Sequence, residues 1–218
     1  MKFPYILAWI FFRSLGTFYF RYRVYNVERV PTTGPFIFAA NHASFVDPPL
    51  VGSTLRRDIH YLGRESLFDH PIANAVLRSV NCVPVDRDGG GATGLKTILE
   101  RLLKGNAIIL FPEGTRSPDG RFQVARPGIG LTVIKSTCPV VPVRIFGSFE
   151  AYGRHHTFPR PRRIEIKFAR PMDFRELRAE ARTCSKPRLK EIYKIVTDQL
   201  MTEIARQEPY QDCERFPG

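Results

Sequence analysis

Residues 95–117 read LKTILERLLKGNAIILFPEGTRS, and the order of patterns in this stretch decides the fold class. Leu95, Ile98, Leu99, Leu102 and Leu103 recur at the three-to-four-residue spacing of one helix face, and Gly105 is a C-terminal stop. Ala107–Phe111 then runs continuously apolar over the length of a buried strand. The same alternation continues in both directions. Upstream, Phe36–Ala40, Ile59–Leu62 and Cys82–Val85 read as strands and Leu67–Leu77 as a helix. Downstream, a helix near Ile129–Ser136 precedes strand Val140–Phe146, and Ile164–Phe168 alternates as a strand does. A last helix starts near Pro187, with Leu189, Ile192, Val196, Leu200 and Ile204 on one face. Strands alternating with helices predict an α/β domain with a mostly parallel sheet flanked by helices. In such sheets ligands bind beyond the carboxyl ends of the strands, which directs attention to the loops after Ala40, Val85 and Phe111.

The 218 residues carry 33 basic and 21 acidic side chains, a net charge of +12, with 43% hydrophobic residues. That composition excludes wholesale disorder. No run reaches the about 20 clean apolar residues of a membrane span, which excludes a polytopic membrane protein. The charge implies an anionic partner: nucleic acid, a membrane surface or a phosphorylated substrate. Cys82, Cys138, Cys184 and Cys213 are far apart and form no C-x-x-C pair, which argues against a zinc site and a disulfide framework. Residues 3–20, FPYILAWIFFRSLGTFYF, crowd aromatics around Arg13 and are followed by Arg21 and Arg23. They lack a signal-peptide cleavage site and read as a helical segment in a membrane interface, with Arg13 snorkelling; the competing reading is a core helix. The expected organisation is a membrane-associating segment over 1–23, one α/β domain over 24–208 and a loose tail over 209–218. The aromatics gather at the N-terminus instead of interleaving with basic residues, which disfavours nucleic acid as partner.

Three polar clusters follow strand ends. In Asn41-His42-Ala43-Ser44-Phe45-Val46-Asp47, His42 and Asp47 are five apart, and on a continuous helix they would face about 140° apart. Asp47-Pro48 reads as an N-cap with proline at the first helical position, so a turn intervenes and Asp47 can take the ring N–H of His42. That pairing leaves the other nitrogen as a general base. No G-x-S-x-G elbow supports Ser44 as a nucleophile, and it is expected to help the turn. In Phe111-Pro112-Glu113-Gly114-Thr115-Arg116-Ser117, Gly114 permits close backbone approach, Arg116 offers a planar fork for phosphate, and Glu113 can orient Arg116 or accept a hydroxyl proton. In Val83-Pro84-Val85-Asp86-Arg87, Arg87 stands just past a strand. Gly89–Gly94 matches G-x-G-x-x-G. Three residues separate it from the strand where the dinucleotide fingerprint needs a tight turn, so it reads as a glycine loop.

N-H-A-S-F-V-D, V-P-V-D-R, F-P-E-G-T-R-S and V-V-P-V-R-I-F-G-S, spanning Asn41 to Ser148, resemble the four ordered blocks of the glycerolipid acyltransferases, and more narrowly of the 1-acylglycerol-3-phosphate acyltransferases. The resemblance implies a glycerol-3-phosphate acyltransferase-like fold and no metal or redox cofactor. It implies acyl transfer from acyl-CoA or acyl carrier protein to a lysophospholipid hydroxyl, at the cytoplasmic face of a membrane. His42 would be the base and Asp47 its orienting partner. Glu113, Gly114, Thr115 and Arg116 would hold the acceptor phosphate, Arg87 would assist, and the Val140–Val143 block would line the acyl pocket. Three departures stand out. Asn81 replaces a glycine before the second block, and Arg126 stands near the position of a family lysine and can substitute for it. Arg144 places a charge in a strand that is usually apolar. Competing expectations are another lysolipid or an aminoacyl lipid as acceptor, or a non-catalytic protein of the same fold that binds anionic lipid.

Overall fold

The computed structural model of the chain describes residues 1–85 and 92–210, with side chains throughout except at 92 and 93. Seven strands form one sheet: β1 (Arg23–Tyr25), β2 (Ile37–Ala40), β3 (Ile59–Arg64), β4 (Cys82–Val85), β5 (Ala107–Leu110), β6 (Val140–Phe146) and β7 (Glu165–Phe168). Their spatial order is β1-β7-β6-β2-β5-β3-β4. β2 to β6 run in one direction, whereas β7 pairs antiparallel with β6 and β1 parallel with β7. The carboxyl ends of β2, β5 and β6 therefore lie side by side at one end of the sheet. The mostly parallel α/β architecture matches the sequence expectation.

β2 shows why its run is continuously apolar. Phe36, Phe38 and Ala40 face one side of the sheet, while Ile37 and Ala39 face the other, and all are fully buried. On the first side they meet Leu50 and Val51 of α2 (Asp47–Gly52). On the second they meet α4 (Ala92–Leu103), α5 (Gly128–Lys135) and α8 (Lys186–Ala205). Of the expected apolar face of the last helix, Ile192, Val196, Leu200 and Ile204 are buried and Leu189 is half-buried. Ser185 caps that helix by accepting from Arg188 N–H.

Several expectations need correction. The single helix expected over Leu67–Leu77 is split into a 3₁₀ turn, Glu65–Phe68, and α3 (Pro71–Ser79). Pro71 lacks an N–H and holds His70 extended (φ −87°, ψ 127°), so no helix crosses that point. Strand β1 and the short helices α6 (Ser148–Tyr152) and α7 (Arg175–Glu180) carry too few residues for a periodic signal. Asn81 adopts the left-handed backbone (φ +62°), a conformation asparagine tolerates better than most residues.

The N-terminal segment forms α1 (Phe3–Ser14), about 18 Å long, followed by a π-helical turn over Leu15–Tyr19. No helix of the described residues is long and apolar enough to cross a membrane. One face of α1 is docked. The Tyr5 hydroxyl meets that of Tyr61 (3.1 Å) and accepts from Ile59 N–H (3.0 Å), and Trp9 Nε1 donates to the Leu55 carbonyl (2.7 Å). Arg13, expected to snorkel, instead donates to the Ser53 carbonyl (3.1 Å). Phe20 is fully buried in the main core. Residue 23 is thus no boundary in packing. At the other end, Tyr210 stacks on Tyr25 (ring centroids 5.1 Å apart) and donates its N–H to Glu165 Oε2, so residues 209–210 are not loose; 211–218, with Cys213, lie outside the described residues.

Candidate active site

At the end of β2, the Asn41 carboxamide donates to the Ile145 carbonyl (2.9 Å) and accepts from its N–H (2.7 Å), locking the strand end to β6. His42 follows, and the chain turns before α2. Asp47 is the first residue of that helix, and Val46 takes the cap position expected for Asp47. The Asp47 carboxylate folds back over the turn. Its Oδ2 accepts from Ala43 N–H (2.7 Å), Ser44 N–H (2.7 Å) and His42 Nδ1 (3.0 Å). Asp47 is fully buried, and the His42 ring stacks on Phe111 at 3.9 Å. With Nδ1–H given to Asp47, Nε2 of His42 keeps its lone pair. Ser44 serves the turn, as expected: its Oγ accepts from Val46 N–H (3.3 Å), while its hydroxyl donates to the Tyr152 carbonyl (2.6 Å) and ties the turn to the end of α6.

The loop after β5 is buckled to this turn. Ser117 N–H donates to the His42 carbonyl (2.8 Å), and His42 N–H donates to Glu113 Oε1 (2.9 Å). Glu113 Oε2 accepts from Gln123 N–H (3.0 Å). Glu113 is only 3% exposed, and burial pushes its carboxyl pKa up, while the two backbone N–H groups pull it down. Both Glu113 oxygens are turned onto backbone N–H groups, so the carboxylate ties the two loops together. Arg144 packs over the Phe122 ring at 3.8 Å; burial lowers its guanidinium pKa and the charge of Glu113 opposes that.

Gly114 has φ +68°, and a Cβ there would lie 2.6 Å from Arg126 Cδ. Arg126 N–H also donates to the Pro112 carbonyl (2.8 Å), so this arginine is laid across the loop. Thr115 is exposed, and the Arg116 guanidinium stacks on Phe45 at 3.3 Å. Arg87, with the glycine run Gly89–Gly91, lies outside the described residues.

His42, Thr115 and Arg116 open onto a cavity of about 640 Å³. Its apolar wall comes from Trp9 and Phe12 of α1, Tyr61 and Gly63 of β3, and Val76 and Val80 around α3. The Val140–Val143 block does not line it: Val140, Val141 and Val143 are fully buried in the sheet centre. Two wall features escaped the sequence reading. Tyr5, Trp9 and Phe12 share one face at i, i+4 and i+7, a spacing that could have been read as a docking face. Arg154, also on the cavity, belongs to no motif.

A family profile described as Acyltransferase matches residues 21–146. The 1-acyl-sn-glycerol-3-phosphate acyltransferase of Bacillus subtilis is 33% identical over 98 residues, 44% of this chain and 49% of that protein. A chloroplastic 1-acyl-sn-glycerol-3-phosphate acyltransferase of Arabidopsis thaliana is 29% identical over 133 residues, 60% of this chain and 37% of that protein. The chain thus spans half or less of the length of these curated relatives. The crystal structure of the 1-acyl-sn-glycerophosphate acyltransferase PlsC from Thermotoga maritima superposes with a TM-score of 0.72 at 25% identity, covering 94% of this chain and 81% of that one. The profile spans more than half of the chain and takes in the His42–Asp47 turn and the buckled loop after β5, and on that basis the chain belongs to the acyltransferase family.

Proposed function

We propose that this chain transfers a fatty acyl group from an acyl thioester, acyl-CoA or acyl carrier protein, to the free hydroxyl of 1-acylglycerol-3-phosphate, giving phosphatidic acid. The observation that carries this reading is the His42–Asp47 pair at the edge of a large apolar cavity, with Arg116 on the same cavity and Arg126 on the adjoining loop. The names of the relatives agree with it.

In this mechanism His42 Nε2 takes the acceptor hydroxyl proton while Asp47 holds the tautomer and stabilises the imidazolium. The acceptor oxygen bonds to the thioester carbonyl carbon, the C–S bond breaks, and the leaving thiolate takes the proton from His42. Arg116, Arg126 and Thr115 bind the acceptor phosphate through charge-assisted hydrogen bonds, and Arg87 adds charge. Gly114 keeps the loop backbone close to the phosphate, and Glu113 holds the loop in place. The apolar wall takes an acyl chain out of water. The outer stripe of α1, Phe3, Leu7, Ile10 and Phe11, is exposed and lies in the membrane interface.

The test is transfer by purified chain in detergent, with lysophosphatidic acid as acceptor and both thioester types as donors. His42→Ala lowers kcat by about 10²–10⁴-fold at nearly unchanged acceptor KM, the signature of a lost proton acceptor. Asp47→Asn impairs kcat in the same direction. Folded wild-type chain that transfers from neither donor overturns the reading.

A further inference from the structure

Residues 153–163, the connection from α6 to β7, read GRHHTFPRPRR. Arg154, Arg160, Arg162 and Arg163 supply four positive charges, and no acidic residue interrupts them. Within it Phe158 is 77% exposed, an aromatic ring in water that lies in sequence between Arg154 and Arg160. We propose that this connection is a second membrane contact, which inserts Phe158 into the interface and binds anionic lipid headgroups with its arginines.

Its position supports the assignment. β6 ends on the side of the sheet where His42 stands, so the connection leaves from the active-site end. On one side it is tied to the catalytic turn: Ser44 bridges to Gly153, and Arg154 reaches the cavity that His42 lines. On the other it is tied to the N-terminal segment. Tyr19 Oη donates to the Pro159 carbonyl (2.8 Å), and Ile164 N–H donates to the Phe20 carbonyl (3.2 Å). Phe18, 83% exposed, belongs to that segment. Exposed aromatics beside arginines, on a surface that adjoins the active-site opening, form the pattern of an interfacial anchor. An acidic protein, such as an acyl carrier, would use the charge but not the exposed phenyl ring, so the occupant is taken to be an anionic bilayer.

Two variants of the full chain test this, both altering exposed side chains: Phe158→Ser, and Arg160→Gln with Arg162→Gln. Arg163 is left intact because it pairs with Glu165 at 2.9 Å. Cosedimentation uses phosphatidylcholine vesicles with and without phosphatidylglycerol. Phe158→Ser weakens binding to both compositions. The double arginine variant weakens binding to phosphatidylglycerol vesicles by roughly 25-fold at low salt, about fivefold per charge, and the difference disappears at high salt. Transfer from acyl-CoA to a detergent-solubilised acceptor stays at the wild-type rate in both. Unchanged vesicle binding in both variants overturns the proposal. So does a selective loss of transfer from acyl carrier protein with vesicle binding intact, which would make the connection a carrier-docking surface.

Discussion

Glu113 spans two loops, with one carboxylate oxygen on the N–H of His42 and the other on that of Gln123. A short negative strut of this kind fixes the backbone from which the His42 side chain projects. Glu113→Ala leaves two part-buried donors without their partner, and an unsatisfied group costs at most about 1–3 kcal/mol when fully buried. The expected outcome is a lower denaturant midpoint and a lower kcat, with Glu113→Gln intermediate because it keeps one acceptor. Unchanged stability with a raised acceptor KM would instead identify Glu113 as a substrate contact. This residue also marks the limit of legibility at this scale. The His42–Asp47 pairing could be read because both partners lie within one seven-residue block and Pro48 marks the start of a helix that begins after His42. What Glu113 touches depends on Gln123 and on a loop 71 residues away, and no local pattern encodes that.

At the scale of elements, the strands were legible where burial on both faces forces an unbroken apolar run, as in β2 and β5. α1 was not, because an aromatic-rich helix has the same composition whether it packs on a core or on lipid. The structure shows one face of the helix packed on protein and the other exposed. Tyr5, Trp9 and Arg13 bond inward to β3 and to the chain around the end of α2, while Phe3, Leu7, Ile10 and Phe11 point outward. Deleting residues 1–20 therefore removes Phe20 and Tyr5 from the core and destabilises the chain. The informative variant replaces Leu7, Ile10 and Phe11 with serine. It is expected to keep the thermal transition near the wild-type value and to lose binding to neutral vesicles, measured by cosedimentation. A fall in stability as large as that caused by Tyr5→Ala would show that the outer stripe is covered by protein.

At the scale of the whole molecule, the cavity was the least legible feature. Its walls come from α1 and from β3 and α3, which follow it only much later in the chain and which the fold brings against it. The same fold buries His60 of β3, the strand next to the sheet edge, in register with Ile108 of β5 and outside the lining of the cavity. Burial, reinforced by the charge of Arg101, lowers the His60 pKa below its ordinary 6.5, with only partial opposition from Asn106. The folded state thus binds the proton less readily than the unfolded chain does. Folding stability from this group is complete above about pH 6.5 and is lost as the pH falls from there through the lower folded value, with a slope no steeper than about 1.4 kcal/mol per pH unit. His60→Leu removes the titration, and the slope between pH 7 and pH 5 in urea unfolding should flatten relative to wild type. If the variant retains the full wild-type slope, the acid sensitivity of the fold belongs to other groups and His60 is not the buried titrating site.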